Sequence, residues 1–318
     1  MSHDIIGLHH VTAISGDAQA NHRFYTQVLG QRMVKKTVNF DAPQVYHLYY
    51  ADRTGTPGTV MTFFPFPGAQ QGRVGRGQVT ETFYVVPAGS LDYWAARLDA
   101  HGAQVLGRAT TFGEERLIAT DPEGLGLTLI ARDGDPRAPW DGADVPADKA
   151  VRGFAGVAMG VAGEAATAEI LTGLFGYARV GEEGAGAARR VRFEKPGEPS
   201  GAVELVIDPA MPQGIEAAGT VHHVAFRVAD RAAQARVQAA VGAAGHRVTP
   251  QIDRDYFYAI YFRTPEGILF EVATDEPGFD RDEPVEHLGE ALRLPRQHEH
   301  LRGRLEQLLP PLGAEEAA

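Results

Sequence analysis

Short runs of apolar and β-branched residues alternate along this chain with stretches of helical spacing, and the alternation itself repeats. Ile6-Gly7-Leu8-His9-His10-Val11-Thr12-Ala13 and Gly219-Thr220-Val221-His222-His223-Val224-Ala225-Phe226 both read as strands. Each precedes a helical segment, predicted over 21–29 after the first and over 231–244 after the second, which closes at Gly245 as a helix C-terminus should. Two further segments look like degenerate copies. One runs from Val79-Thr80-Glu81-Thr82-Phe83-Tyr84-Val85-Val86 through a helix over 91–101, and the other starts at Gly153-Phe154-Ala155-Gly156-Val157-Ala158-Met159. The tails match as well, Asp121-Pro122-Glu123-Gly124 lying over Thr264-Pro265-Glu266-Gly267 as a turn between β-rich runs. Each unit reads strand, helix, then three strands over roughly 50–60 residues, four times in all. The predicted class is α+β, with four βαβββ modules in two tandem domains.

Gly-rich residues 68–77 separate the first two units, and the Asp-, Gly- and Pro-rich stretch 132–148 separates an N-terminal half, 1–148, from a C-terminal half, 149–318. The tail after Asp275 is Pro- and charge-rich. It turns helical over 297–309, with Leu301, Leu305 and Leu308 on one face, and is expected to cap the body.

At 318 residues, 44% hydrophobic and 22% charged, the chain holds about two globular domains. It has no cysteine, so any metal must take its ligands from twelve histidines and forty-one carboxylates. A net charge of −11 argues against nucleic-acid or anionic-membrane partners. Apolar stretches fall short of the ~20 residues of a membrane span, and MSHDIIGLHH lacks a basic segment followed by an apolar one. The expectation is a soluble, cytoplasmic protein, with homo-oligomerisation left open.

In each His-His pair strand alternation aims only one side chain into a barrel, and spacing alone does not say which. The four units, the two doublets and Phe270-Glu271 on a final strand resemble the vicinal oxygen chelate superfamily. Tyr46 to Asp52, Gly55 to Thr62, and Leu288-Gly289 to Leu294-Pro295 are similar to its branch of hydroquinone ring-cleaving dioxygenases. The resemblance covers essentially the whole chain. It implies a metal site in a half-barrel cavity of mixed sheet, with His10, His223 and Glu271 as ligands and His9 and His222 beside them as catalytic residues that assist ionisation of the substrate hydroxyl. Two imidazoles and one carboxylate make the facial set that holds non-heme Fe(II) with positions open; the same donors suit Mn(II). It also implies that Arg254 and Tyr261 line the active site and manage the proton and charge at a phenolic oxygen, and that O2 is the co-substrate with a small aromatic diphenol.

Laying the second unit on the fourth puts Glu81 at the position of His223 and Thr128 at that of Glu271, and the third unit offers Gly156 at the histidine position. Units one and four must therefore face each other around a single metal. The last strand of unit one, Val60-Met61-Thr62-Phe63-Phe64, provides no fourth ligand, which counts against a glyoxalase-like isomerase; a sequestering protein of the bleomycin-resistance kind would need no facial set. Glu271, among Ile268, Leu269, Phe270 and Val272, is expected to be an unpaired or protonated buried carboxyl without a cation. His298-Glu299-His300 reads as a solvated helix face, Gly181 to Gly186 as an acidic loop, and His47 as a core histidine.

Overall fold

The structure is a computed structural model that describes residues 4–313. Its strands are β1 Gly7–Ser15, β2 Arg32–Val38, β3 Tyr46–Ala51 and β4 Val60–Pro65 in the first unit, and β5 Gln78–Val86, β6 Gln104–Thr111, β7 Glu114–Thr120 and β8 Gly126–Ala131 in the second. The third unit holds β9 Gly153–Val161, β10 Ala178–Ala185, β11 Ala188–Glu194 and β12 Ala202–Ile207. The fourth holds β13 Thr220–Val228, the short β14 Ile252–Asp253, β15 Phe257–Arg263 and β16 Leu269–Pro277. One helix follows the first strand of every unit: α1 Ala18–Arg23, α2 Leu91–Ala100, α3 Ala165–Glu169 and α4 Arg231–Ala243.

The strands form two eight-stranded sheets. One runs β14-β15-β16-β13-β1-β4-β3-β2, and the other β10-β11-β12-β9-β5-β8-β7-β6. Each sheet thus joins one unit from either half of the chain, the first and fourth through the antiparallel pair β1–β13 and the second and third through β5–β9. Within a unit the first strand lies parallel to the last, and that crossover requires the intervening helix. The main core, in which Trp94, Phe154, Phe175, Phe226 and Phe270 are buried, fills the helix-covered faces and the space between the sheets.

Asp17 and Asp230 start α1 and α4 by accepting backbone N–H bonds. The stretch predicted over 21–29 is not one regular helix: α1 passes into a π-helical turn, Phe24–Val28, and α3 does the same over Ile170–Leu174. The wider turns let Phe24, Tyr25 and Val28, and in the third unit Ile170 and Leu171, all face inward. The C-terminal segment also departs from expectation. A 3-10 stretch, Arg296–Leu301, follows Pro295 and gives way to α5, Arg302–Leu308. The change of pitch rotates the apolar face, so Leu305 and Leu309 are buried while Leu308 is 55% exposed.

The chain between β16 and α5 straps the outer strand of the first sheet. Lys35 on β2, fully buried, donates to Asp282 at 2.6 Å and Glu283 at 2.5 Å, and Lys36 and Leu292 form a bridge alongside. Gly289 lies against Met33, whose carbonyl oxygen would be 2.0 Å from any Cβ there, so only glycine fits.

Candidate metal centre

The curled face of the first sheet encloses a cavity of about 350 Å³. His10 and His223 enter it from the adjacent strands β1 and β13, and Glu271 from β16 beside β13. Their three ligand atoms lie within 4.8 Å of one another and all three residues are buried. His223 Nε2 is 2.8 Å and His10 Nε2 3.4 Å from Glu271 Oε2, and the two Nε2 atoms are 3.3 Å apart.

Each doublet is wired alike. His9 Nδ1 lies 2.9 Å from His10 Nδ1, and His222 Nδ1 lies 2.7 Å from His223 Nδ1. His9 Nε2 is 3.2 Å from the carbonyl oxygen of Thr274, which can only accept, so the proton of His9 sits on Nε2. Burial, helped by His10, holds His9 down to about 3, so it is neutral and its Nδ1 must accept from His10 Nδ1–H. His10 Nε2 then points at Glu271. On the other side His222 Nε2 faces Glu216 at 3.9 Å, which favours the same arrangement for His223.

Two imidazole nitrogens and a carboxylate oxygen therefore face one another in a buried site, and neither oxygen of Glu271 meets a donor with hydrogen-bond geometry. Only a proton or a cation holds such atoms together, and two imidazoles with one carboxylate suit a divalent first-row ion. Burial lowers His223 to about 4, partly offset by Glu271. Burial also opposes charge on Glu271, yet the imidazoles of His10 and His223 outweigh it and hold this carboxyl well below the usual carboxylate range. Of the two expected states, a protonated group is therefore opposed, while the lack of a hydrogen-bond donor at either oxygen agrees with an unpaired one.

Arg254 and Tyr261 both line the cavity. The Arg254 Nε donates to the Tyr261 hydroxyl at 3.2 Å, and its guanidinium lies over the rings of Phe40 and Tyr261, each 5.3 Å away. Burial, with Glu271 nearby, raises the Tyr261 phenol above its ordinary value. His222 lines the wall, but His9 does not: it stands behind His10 against Phe257. His47, expected in the core, lines the cavity together with Tyr49, Phe64, Phe66 and Phe257. Sequence reasoning did not single out Tyr49 because aromatic residues are ordinary in strands; its place in the run Tyr46 to Asp52 that carries the resemblance was the available signal. The loop of Asn39 to Ala42 borders the mouth, and the Phe40 carbonyl accepts from Gln297 Nε2 at 3.3 Å and lies 2.8 Å from His298 Nε2. His298 is thus not simply a solvated side chain.

The second sheet shows what becomes of the same positions without a metal. Glu81 accepts from Thr128 at 2.9 Å, and Arg190 pairs with both Glu81 and Glu204 while Arg116 donates to both oxygens of Glu204. Glu204 pairs with Ala158 as Glu271 pairs with Ala225, so it occupies the last-strand ligand position of unit three. Gly156 stands at the histidine position, where any Cβ would lie 2.0 Å from the carbonyl oxygen of Ala202. Guanidinium groups fill the place of a cation here.

A βαβββ fold with paired half-barrels and a His-His-Glu cluster defines a class, and the chain belongs to it: residues 7–129 and 154–272 match the Glyoxalase/Bleomycin resistance protein/Dioxygenase superfamily. Among curated proteins it is 42% identical, over 99% of both chains, to MhqO of Bacillus subtilis, provisionally named a ring-cleaving dioxygenase. It is 34% identical, over 94% of both chains, to chlorohydroquinone/hydroquinone 1,2-dioxygenase of Sphingobium indicum. A crystal structure of a Bacillus subtilis protein, provisionally titled a dioxygenase, superimposes with a TM-score of 0.92 at 42% identity, covering 99% of this chain and 100% of that one.

Proposed function

We propose that this chain is a cytoplasmic, Fe(II)-dependent dioxygenase that opens the ring of a hydroquinone-type diphenol with O2, Mn(II) being the alternative metal. The observation that carries the reading is the buried set His10, His223 and Glu271 at one end of an aromatic-lined cavity. Relatives named for ring cleavage, one of them for hydroquinone, supply the reaction class. The isomerase alternative needs a fourth ligand, and Thr62, opposite Thr12, fills that position with a hydroxyl committed to Thr12 at 2.8 Å.

His10 Nε2, His223 Nε2 and a Glu271 oxygen would hold the ion, with His9 and His222 fixing the tautomer of each imidazole from behind. When bound, a divalent iron supplies open positions for a phenolate oxygen and O2 and a path for electrons between them. Tyr261, kept protonated by burial and steadied by Arg254, is placed to donate its hydroxyl hydrogen to the phenolic oxygen as that oxygen gains negative charge, and the guanidinium offsets that charge. Phe64, Phe66 and Phe257 offer apolar walls to the ring and exclude water.

The test is anaerobic loading with Fe(II) followed by oxygen-electrode assays on hydroquinone, methylhydroquinone and catechol. The expected result is one iron per chain and O2 uptake dependent on the para-diphenol. Two metals per chain, or no uptake with any diphenol, would overturn the reading.

A further inference from the structure

The register of the first sheet relates its two halves residue by residue. Tyr261 stands opposite Glu271 on β15–β16, and Tyr49 stands opposite Thr62 on β3–β4. Thr62 in turn pairs with Thr12, two residues after His10, as Glu271 pairs with Ala225, two residues after His223. Tyr49 is therefore the repeat equivalent of Tyr261 on the half of the cavity that has no carboxylate. Its hydrogen bonding differs. The Tyr49 hydroxyl lies 2.8 Å from His47 Nδ1, His47 Nε2 lies 2.8 Å from Thr62 Oγ1, and Thr62 Oγ1 lies 2.8 Å from Thr12 Oγ1. All four side chains are buried, and Tyr49 and His47 line the cavity.

We propose that Tyr49, oriented by His47 and the Thr62–Thr12 hydroxyl pair, receives the ring oxygen of the diphenol that is not held at the metal, and so sets the preference for a para-diphenol. The inference rests on reading the site as a diphenol-cleaving one. A cluster that only satisfied itself inside the core would have no reason to end at the cavity wall. This one ends on a hydroxyl, which can both donate and accept. Burial holds His47 well below its ordinary value, so its ring is neutral, with one nitrogen donating and the other accepting. If Nε2 carries the proton, Tyr49 donates to Nδ1 and keeps lone pairs for a substrate hydroxyl. If Nδ1 carries it, Tyr49 is free to donate to a substrate oxygen that has lost its proton. The chain thus matches a ring oxygen in either form without placing a charge in the wall.

Geometry favours para substitution. β3 lies two strands beyond β1 in the sheet order, roughly 10 Å at ~4.8 Å per strand, while the ligands cluster at β1, β13 and β16. A ring with oxygens at opposite ends, together with the Tyr49 side chain, bridges that separation; adjacent oxygens both stay at the metal end.

The experiment is anaerobic titration calorimetry of hydroquinone and of phenol into Fe(II)-loaded wild-type, Tyr49→Phe and Thr62→Val proteins, with iron content and melting temperature measured on each. Tyr49→Phe should weaken hydroquinone binding roughly tenfold, the worth of one net hydrogen bond, and leave phenol binding and iron content unchanged. Thr62→Val, which touches the chain behind the tyrosine, should weaken hydroquinone binding by a smaller factor and also spare phenol. In turnover the change should appear mainly in KM. Equal losses for phenol and hydroquinone, or no loss for either in both variants, overturns the assignment of Tyr49 while wild-type O2 uptake with hydroquinone leaves the dioxygenase reading standing. Absence of that uptake in the wild type removes both.

Discussion

Glu271 carries a strong electrostatic demand at the level of single residues, because it is fully buried beside imidazoles that a metal would also claim. Its folded value lies below the ordinary carboxylate value of 4.5. Such a group stabilises the fold above that pH and loses the contribution as pH falls through its folded value. In metal-free protein, Glu271→Gln should therefore lower stability at pH 7 by about 1–3 kcal/mol and flatten the acid limb of the stability profile, both read by urea titration across pH 3–8. The same variant should fail to keep iron through desalting, since a neutral amide is a poor ligand; retained iron with wild-type O2 uptake removes Glu271 from the centre. At this scale the two doublets and Glu271 were legible as a candidate ligand set because a carboxylate on an apolar strand and two matched doublets are unusual, while the choice of His10 and His223 within the doublets came from the resemblance. The direction of His9 was not, since strand alternation says that neighbours diverge and does not say which one reaches a cavity.

Among the secondary-structure elements, the repeat made all four units visible, and the turns at Pro122 and Pro265 fixed where the last strands of the second and fourth units begin. The π-helical turns after α1 and α3 left no pattern distinct from ordinary helical spacing, and the face of α5 shifted because the 3-10 turn before it has a different pitch. Glu204 escaped notice because its partners, Arg116 and Arg190, lie on other strands, β7 and β11. Arg190→Met leaves Glu81 with Thr128 alone, while Arg116 still holds Glu204. Allowing for the partial exposure of Arg190, the loss should be about 2–3 kcal/mol, with iron content untouched. Equal urea midpoints for the variant and wild type would show that the guanidinium is not needed there.

For the whole molecule, the segment beyond β16 connects the edge of the first sheet to the mouth of the cavity: Lys35 fixes the strap, and the strap's continuation holds Phe40 through Gln297. Replacing Lys35 by Met strands the buried carboxylate of Glu283, whose other cationic neighbour, Arg293, is 3.5 Å away. A loss of about 3–5 kcal/mol is expected, together with a larger rise in KM than fall in kcat, because the Asn39 to Ala42 border loosens before the ligands do. Unchanged KM for hydroquinone would mean that the strap serves the fold alone. A longer consequence follows from the pairing of β1 with β13. The 261 residues added after His10, Val11 to Glu271, take on the order of ten to fifty seconds to translate at ~5–20 residues per second. β13 is made before β16, so β1 gains its antiparallel neighbour first, but until Glu271 is added no nascent chain can present all three donors, and a metal at this site would be taken up only once β16 has been made and the sheet around it can close.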